Sequence, residues 1–354
     1  MEKHQPDFSR ILDVLARRPT ERPVLFEYAV DSPHIERLAG VPVGTAPKTF
    51  EELLSFTARA FAAGGYDYGV IAPRTLGFFA FHKPVRERAD EDNPLLSHGT
   101  IGIEGRAHGG IITDRASFNA YPWPDPDAAD WGVFERVVPS IPAGMKLLGA
   151  APGGILENLI MLMGYEELCM ALGEEPDLVA DIVEALATRT YRYFERILDF
   201  DIVGAIFCND DWGFKTQTFL SPATMRSLIF PWYKKFAALA HERGRPAILH
   251  SCGCVDAVWE DIIDEMRFDA KHSYEDAITP PERAYELYGS RIAILGGMDV
   301  DFLARAMPEE VAARARRILA QTRGGGYALG SGNSITGYIP AQNFDAMREA
   351  AVSY

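Results

Sequence analysis

The sharpest chemical cluster in this 354-residue chain is His250-Ser251-Cys252-Gly253-Cys254. On an extended backbone, side chains two residues apart point the same way, so His250 and Cys252 can reach one metal ion. Imidazole nitrogen plus thiolate sulfur is ligand chemistry that zinc prefers, and it needs a third ligand. Cys254 supplies one if the chain stays extended through Gly253. Otherwise a carboxylate does, with Asp210, Asp211 and Glu27 as the candidates. Two metal-free readings stay open beside this: a Cys-Gly-Cys redox pair, and a His–Cys nucleophile pair.

Asn209-Asp210-Asp211-Trp212 is the second cluster. Adjacent carboxylates on a strand end point to opposite sides, so one enters a site while the other caps the following turn. Asp210 is the expected inward one. With Glu27 and His272 it completes the set expected to act as general acid or base, a hydrogen-bonded structural histidine being the alternative at 272.

Such residues need a scaffold that gathers strand ends. Short, nearly continuous apolar runs recur at 24–28, 68–72, 146–150, 202–207, 247–250, 268–271, 292–295 and 327–330, as strands covered on both faces should. Helix signals fall between them. Thr49 with Glu52 reads as a capping box, and Gly64-Gly65 as its stop. Pro176 opens a helix with apolar spacing at Leu178, Ile182, Leu186 and Tyr193. Ser221-Pro222 starts another, which Pro231 should kink before Gly244 ends it. Thr279-Pro280 and Pro308 open two more. Eight strands alternating with helices predict a single α/β domain over 1–354, a (β/α)₈ TIM barrel. No glycine-rich phosphate turn follows the first strand, which disfavours the doubly wound alternative.

In such a barrel the site lies where the strands end. Those ends carry Glu27 and Asp31; Arg74; Asn209, Asp210 and Asp211; His250, Cys252 and Cys254; His272; Asp299 and Asp301; Ser331 and Asn333. Tyr28, Trp212, Arg74, Asp299, Ser331 and Asn333 are the expected substrate contacts. The alternation lapses at 73–145, where Tyr121-Pro122-Trp123-Pro124-Asp125-Pro126 is too proline-rich for helix or central strand. That stretch is read as a cap on the barrel mouth, with a small hairpin at 109–113, or else as a decorative insertion.

Composition narrows the partners. Hydrophobic residues make up 47% and charged residues 24%, ordinary globular usage. The net charge of −15, from 35 basic and 50 acidic side chains, argues against nucleic acid and anionic membrane surfaces. No apolar run approaches the roughly 20 residues that span a bilayer. The first 18 residues lack the apolar core of a signal peptide, and a cytoplasmic location is the expectation. Cys169 reads as a small buried hydrophobe.

The ordered segments resemble the uroporphyrinogen decarboxylase superfamily, including its corrinoid-linked methyltransferases. The resemblance runs through Gly149-Ala150-Ala151-Pro152, Met163-Gly164-Tyr165-Glu166 and the 211–233 stretch with Ser221-Pro222 and Pro231-Trp232-Tyr233. It continues through His250-Ser251-Cys252-Gly253, Leu295-Gly296-Gly297-Met298-Asp299, and Gly330-Ser331-Gly332-Asn333 leading to Ile339-Pro340 and Asn343. It implies a (β/α)₈ barrel and a homodimer. The decarboxylases neutralise a polycarboxylate with an arginine-bearing first strand. Here that stretch is Phe26-Glu27-Tyr28-Ala29-Val30-Asp31, with two acids and no arginine, and an unpaired buried carboxylate is costly. The methyltransferase branch implies zinc held by His250, Cys252 and a cysteine near the last strand, where this chain has Ser331; Cys254, Glu27 or Asp210 would replace it. The first reading is therefore a metal-assisted methyltransferase working between a small donor and a corrinoid protein or thiol. The acidic mouth, near Tyr28, Trp212, Phe214 and Tyr274, suits a cationic or neutral donor. A metal-free carboxy-lyase is the alternative, and a non-catalytic ligand-binding barrel a further one.

Overall fold

The computed structural model describes residues 4–71, 78–81 and 110–354. Among these residues seven parallel strands pair in chain order: β1 (Tyr68–Ile71), β2 (Lys146–Ala150), β3 (Val203–Asn209), β4 (Ala247–His250), β5 (Ala270–His272), β6 (Ala293–Leu295) and β7 (Tyr327–Ala328). Parallel neighbours require a crossover, and helices covering the sheet leave β3 and β4 wholly buried. That is why these strands read as unbroken apolar runs rather than alternating ones.

The eighth apolar run, 24–28, is attached rather than fully paired. Leu25 bridges Leu329 just past β7, flanked by Phe26 N–H to Leu329 O and Leu329 N–H to Val24 O, both 2.8 Å. On its other side the Tyr68 hydroxyl donates to Glu27 O and accepts from Glu27 N–H, each at 2.7 Å. The sheet curls far enough for Tyr28 to stack on Phe207 of β3, with ring centroids 5.0 Å apart. Phe26 reaches the same ring at 6.1 Å and His272 of β5 at 5.2 Å. The result is a barrel-like α/β fold of seven paired strands and one bridged segment, with aromatic rings filling its interior.

Local signals place the covering helices. In α1 (Phe50–Gly64) Thr49 accepts from Glu52 N–H, and Gly65, at φ 95°, ends the helix. The N-terminus of α2 (Ile155–Met163) abuts β3. In α3 (Pro176–Ile197), Leu178, Ile182, Leu186 and Tyr193 are buried as their spacing requires. Ser221 caps a short turn, and a π-helical stretch at Met225–Ile229 leads into α4 (Phe230–Glu242), where Pro231 sits in the first turn. The helical backbone is continuous from Pro222 to Glu242, and the π-helical turn just before Pro231 is where it accommodates the missing N–H, a local distortion rather than a break. One more helix bears on the site, α5 (Val300–Arg305).

The 73–145 excursion differs from expectation in its described half. It carries helices at Arg115–Ala120 and Val133–Val137, and forms no strand at 110–113, where Ile112 N–H donates to Leu162 O. Its anchors are Trp131 and Phe134, buried against Tyr193 and Phe200, and Asp127 paired with Arg192. Those contacts place it on the flank of α3. Arg74, Gly109 and the rest of 73–77 and 82–109 lie outside the described residues. Among the described residues no helix is long and apolar enough to cross a membrane.

Candidate metal centre

β4 ends at His250, in register with Asn209 of β3 and His272 of β5. The period of two then sorts the residues beyond each strand end. Phe207 and Asn209 face the interior, so the next inward position on β3 is Asp211, and Asp210 turns outward. Asp211 Oδ1 lies 3.6 Å from His250 Nε2 and accepts the Cys252 N–H at 3.1 Å. Cys252 Sγ lies 3.4 Å from the same Nε2. Among the described residues these three form the one group of acids, thiols and imidazoles whose ligand atoms all fall within 4.8 Å of one another.

The separations suit a metal. Bonds of about 2.0–2.3 Å in tetrahedral array put ligand atoms roughly 3.4–3.6 Å apart. The electrostatics agree. Burial, then the charge of Asp211, pushes the Cys252 thiol well above its ordinary range. Against the opposing effect of burial, hydrogen bonding and charge from His250, with the Cys252 contacts, hold Asp211 down to about 2. A carboxylate beside a thiol that cannot ionise alone is a donor set suited to a cation. Two further donors converge on the sulfur: Asn333 Nδ2 at 3.1 Å and the Ser273 hydroxyl at 3.3 Å. Ser273 has φ 84°, a left-handed conformation that costs a non-glycine residue roughly 1–2 kcal/mol. Its carbonyl is held by Lys271 Nζ at 2.7 Å.

Cys254 does not join them. Gly253 turns the chain with φ 77°, and a Cβ there would fall 1.9 Å from Gly213 O, so the extended path that would carry Cys254 inward is broken. Asp210 is likewise elsewhere. It is fully buried between β3 and α2, accepting from Leu156 N–H (2.9 Å), Glu157 N–H (2.8 Å), Trp212 Nε1 (2.9 Å) and the Tyr233 hydroxyl (2.8 Å). Burial, then the charge of Glu157, raises it to about 7. Gly154 leaves it room, since a Cβ there would sit 1.9 Å from Asp210 Oδ1. Trp212 follows Asp210 outward and packs on Phe230 and Tyr233.

Glu27 shares that fate for the same reason of parity: Phe26 and Tyr28 face in, and Glu27 faces out. Its carboxyl takes Ser331 N–H at 2.7 Å and the Ser331 hydroxyl at 2.5 Å, and burial raises it to about 8. Ser331 is thereby held as a structural link rather than presented to a ligand. His272 is buried behind His250, its Nδ1 2.8 Å from His250 Nδ1 and its Nε2 3.2 Å from Ser331 O. Burial, then the charge of His250, lowers it well below 6.5, so it is neutral.

The sequence model of the uroporphyrinogen decarboxylase (URO-D) family matches residues 133–354. The chain belongs to the URO-D family. No curated protein matches it. In fold it is similar to the solved structure of a methyltransferase from Methanosarcina mazei, with a TM-score of 0.69 at 16% identity over 98% of each chain. The cavity of this URO-D family chain, about 1290 Å³, has His250, Asp211, Tyr28, Asn333 and Asp299 in its wall. Its described lining holds eight carboxylates (Asp31, Glu157, Asp211, Glu275, Asp276, Asp299, Asp301, Glu310) and two cations, Lys215 and Arg305. Arg305 is paired with Asp301 at 2.7 Å. Asp299 caps α5, accepting from Asp301 N–H and Phe302 N–H. Tyr274 is also in the wall, whereas Phe214 packs on Phe219.

Proposed function

We propose that this URO-D family chain is a metal-assisted methyltransferase, moving a methyl group between a small donor and a thiol or corrinoid-protein acceptor, with zinc held by His250, Cys252 and Asp211. The observation that carries the reading is the convergence of these three ligand atoms, with Asp211 and His250 in the wall of a large acidic cavity. One imidazole, one thiolate and one carboxylate are three protein ligands, the number that catalytic rather than structural zinc sites carry. Bound there, the metal would supply Lewis acidity that keeps a thiol ionised or polarises the group carrying the methyl.

The chain's own residues do the rest. Asp211 brings a carboxylate to the Cys252 backbone and to His250, fixing both donors. Asn333 and Ser273 direct N–H and O–H donors at the sulfur, which favours its charged form and keeps it turned toward the imidazole. Tyr28 lies 4.5 Å, ring to ring, from His250 and presents an aromatic wall next to the centre. With eight carboxylates against two cations in the described lining, the cavity favours a cationic or neutral donor over a polycarboxylate. The likeness to the Methanosarcina mazei methyltransferase supports the same branch of the family.

Elemental analysis of the purified chain tests this. About one zinc per chain is expected, lost in Cys252→Ala and retained in Cys254→Ala. A wild-type protein that neither carries nor takes up zinc or cobalt(II) would overturn the metal-assisted reading.

A further inference from the structure

Four contacts run in line through the two histidines. Cys252 Sγ and Asp211 Oδ1 face His250 Nε2 at 3.4 and 3.6 Å, the two Nδ1 atoms face each other at 2.8 Å, and His272 Nε2 faces Ser331 O at 3.2 Å. A carbonyl oxygen accepts and never donates, so the hydrogen at the far end of His272 is on Nε2. A neutral imidazole has one N–H, which leaves His272 Nδ1 a bare lone pair. At 2.8 Å the opposing Nδ1 must then carry a hydrogen, because two lone pairs would repel. In the neutral form that metal ligation requires, that is the single N–H of His250, and its Nε2 is bare toward Cys252 and Asp211; the ring that donates to Asp211 and lowers it is the doubly protonated one.

We propose that His272 is the positioning residue of the centre: anchored on the Ser331 carbonyl, it locks His250 in the Nδ1–H tautomer and so presents Nε2 as a ligating lone pair. Ligating histidines elsewhere are oriented by a carboxylate, carbonyl or water on the second nitrogen. Here another imidazole does that work. The surroundings hold it in place. His272 is fully buried, with the Phe26 ring at 5.2 Å and the Tyr28 ring edge-on at 5.4 Å. Ser331 is clamped by Glu27 through its N–H and hydroxyl, and its carbonyl also accepts Gly297 N–H at 2.9 Å. Gly296, at φ 69°, makes room for the ring: a Cβ there would lie 2.9 Å from His272 Nε2 and 2.2 Å from Ser331 O.

The test has two readouts, and only the second rests on the proposed metal site. In metal-free, ¹⁵N-histidine-labelled protein held at a pH where the spectra show His250 uncharged, long-range proton–nitrogen correlations should show it protonated at Nδ1 and bare at Nε2. His272→Phe keeps a ring in the space but offers no acceptor. It should release the tautomer and weaken zinc or cobalt(II) binding about 10–100-fold, measured against a chromophoric chelator. His272→Gln, whose amide can accept from His250 and donate to Ser331, should recover the tautomer and most of the affinity. A purely packing role predicts the reverse order, with Phe at least as good as Gln. His250 carrying its hydrogen on Nε2 in the wild type, or His272→Phe leaving tautomer and affinity unchanged, overturns the proposal. Should His272→Phe not fold, the wild-type spectrum and His272→Gln decide. A wild type that binds no metal sinks the metal centre, while its spectrum still decides the lock.

Discussion

Asp210 and Asp211 are neighbours in the chain and live in different regions of the molecule. Asp211 faces the interior of the curled sheet, partly open to the cavity, where it meets His250 and Cys252. Asp210 faces the layer between sheet and helices, where four donors satisfy it and no solvent reaches it. One side of the strand end faces the cavity, the other attaches α2 to β3. The environments push the two carboxyls in opposite directions, to about 7 for Asp210 and about 2 for Asp211. A strand that alternates faces can thus carry function and anchorage on consecutive residues, and the chemistry of a residue type says little until its face is known.

The strongest way to break this contrast is to exchange the two losses. Asp210→Ala orphans four buried donors at about 1–3 kcal/mol each before relaxation, and should cost about 3–5 kcal/mol of stability in urea or thermal unfolding. The folded fraction should still bind zinc. Asp211→Ala should do the opposite: a smaller loss of stability, about 2 kcal/mol at most, with metal affinity down by about 100-fold or more. Equal destabilisation by both, or metal loss in Asp210→Ala, would show that the faces are not separated in this way.

Acidity gives the next test. Glu27, outward like Asp210, has its carboxyl raised from 4.5 to about 8. A raised folded value means the native state holds a proton that the unfolded chain has released. The stabilisation is therefore complete below about 4.5, declines as pH climbs toward 8, and is flat above. Asp210 contributes with the same sign between 3.8 and about 7. Asp211, held low, contributes the other way, losing stability as pH falls from 3.8 through about 2. Glu27→Gln should flatten the decline between about pH 5 and 8, a difference of about 3–5 kcal/mol across the span if the whole shift is expressed. A wild-type stability that rises over that range would contradict the outward assignment.

These faces explain which features are legible in the sequence. The strand runs are legible because buried parallel strands are continuous in apolar residues, and His250 with Cys252 because both lie on the extended end of β4. The inward position was assigned to Asp210 instead of Asp211 for want of two residues. Ending β3 at Phe207 leaves the parity of Asp210 and Asp211 open, whereas extending it to Asn209 puts Asp211 on the face of Phe207. The same alternation, applied from Phe26 and Tyr28, turns Glu27 away. Cys254 depended on the torsion of Gly253, and a glycine permits the extended and the left-handed form alike. Nothing in His272-Ser273-Tyr274 announces a left-handed serine. The attachment of 24–28 by one bridge and a tyrosine hydroxyl depends on partners distant in the chain, Leu329 and Tyr68, beyond any local pattern.

Smaller effects sharpen the inner region alone. Asn333→Ala removes the amide donor to Cys252 Sγ and should lower zinc affinity about 10-fold with the fold intact, by chelator competition.

Ser273→Gly separates strain from contact. The left-handed backbone at φ 84° costs serine roughly 1–2 kcal/mol, which glycine does not incur, so unfolding stability should hold or rise by up to about 1 kcal/mol. The hydroxyl that donates to Cys252 Sγ disappears in the same step, and metal affinity should fall a few-fold. Ser273→Ala loses the hydroxyl but keeps the strain, and should match the glycine variant in affinity while falling below it in stability. If both variants bind zinc like the wild type, the strained serine serves the turn after β5 and the Lys271 contact rather than the sulfur, and the inner region ends at Asn333.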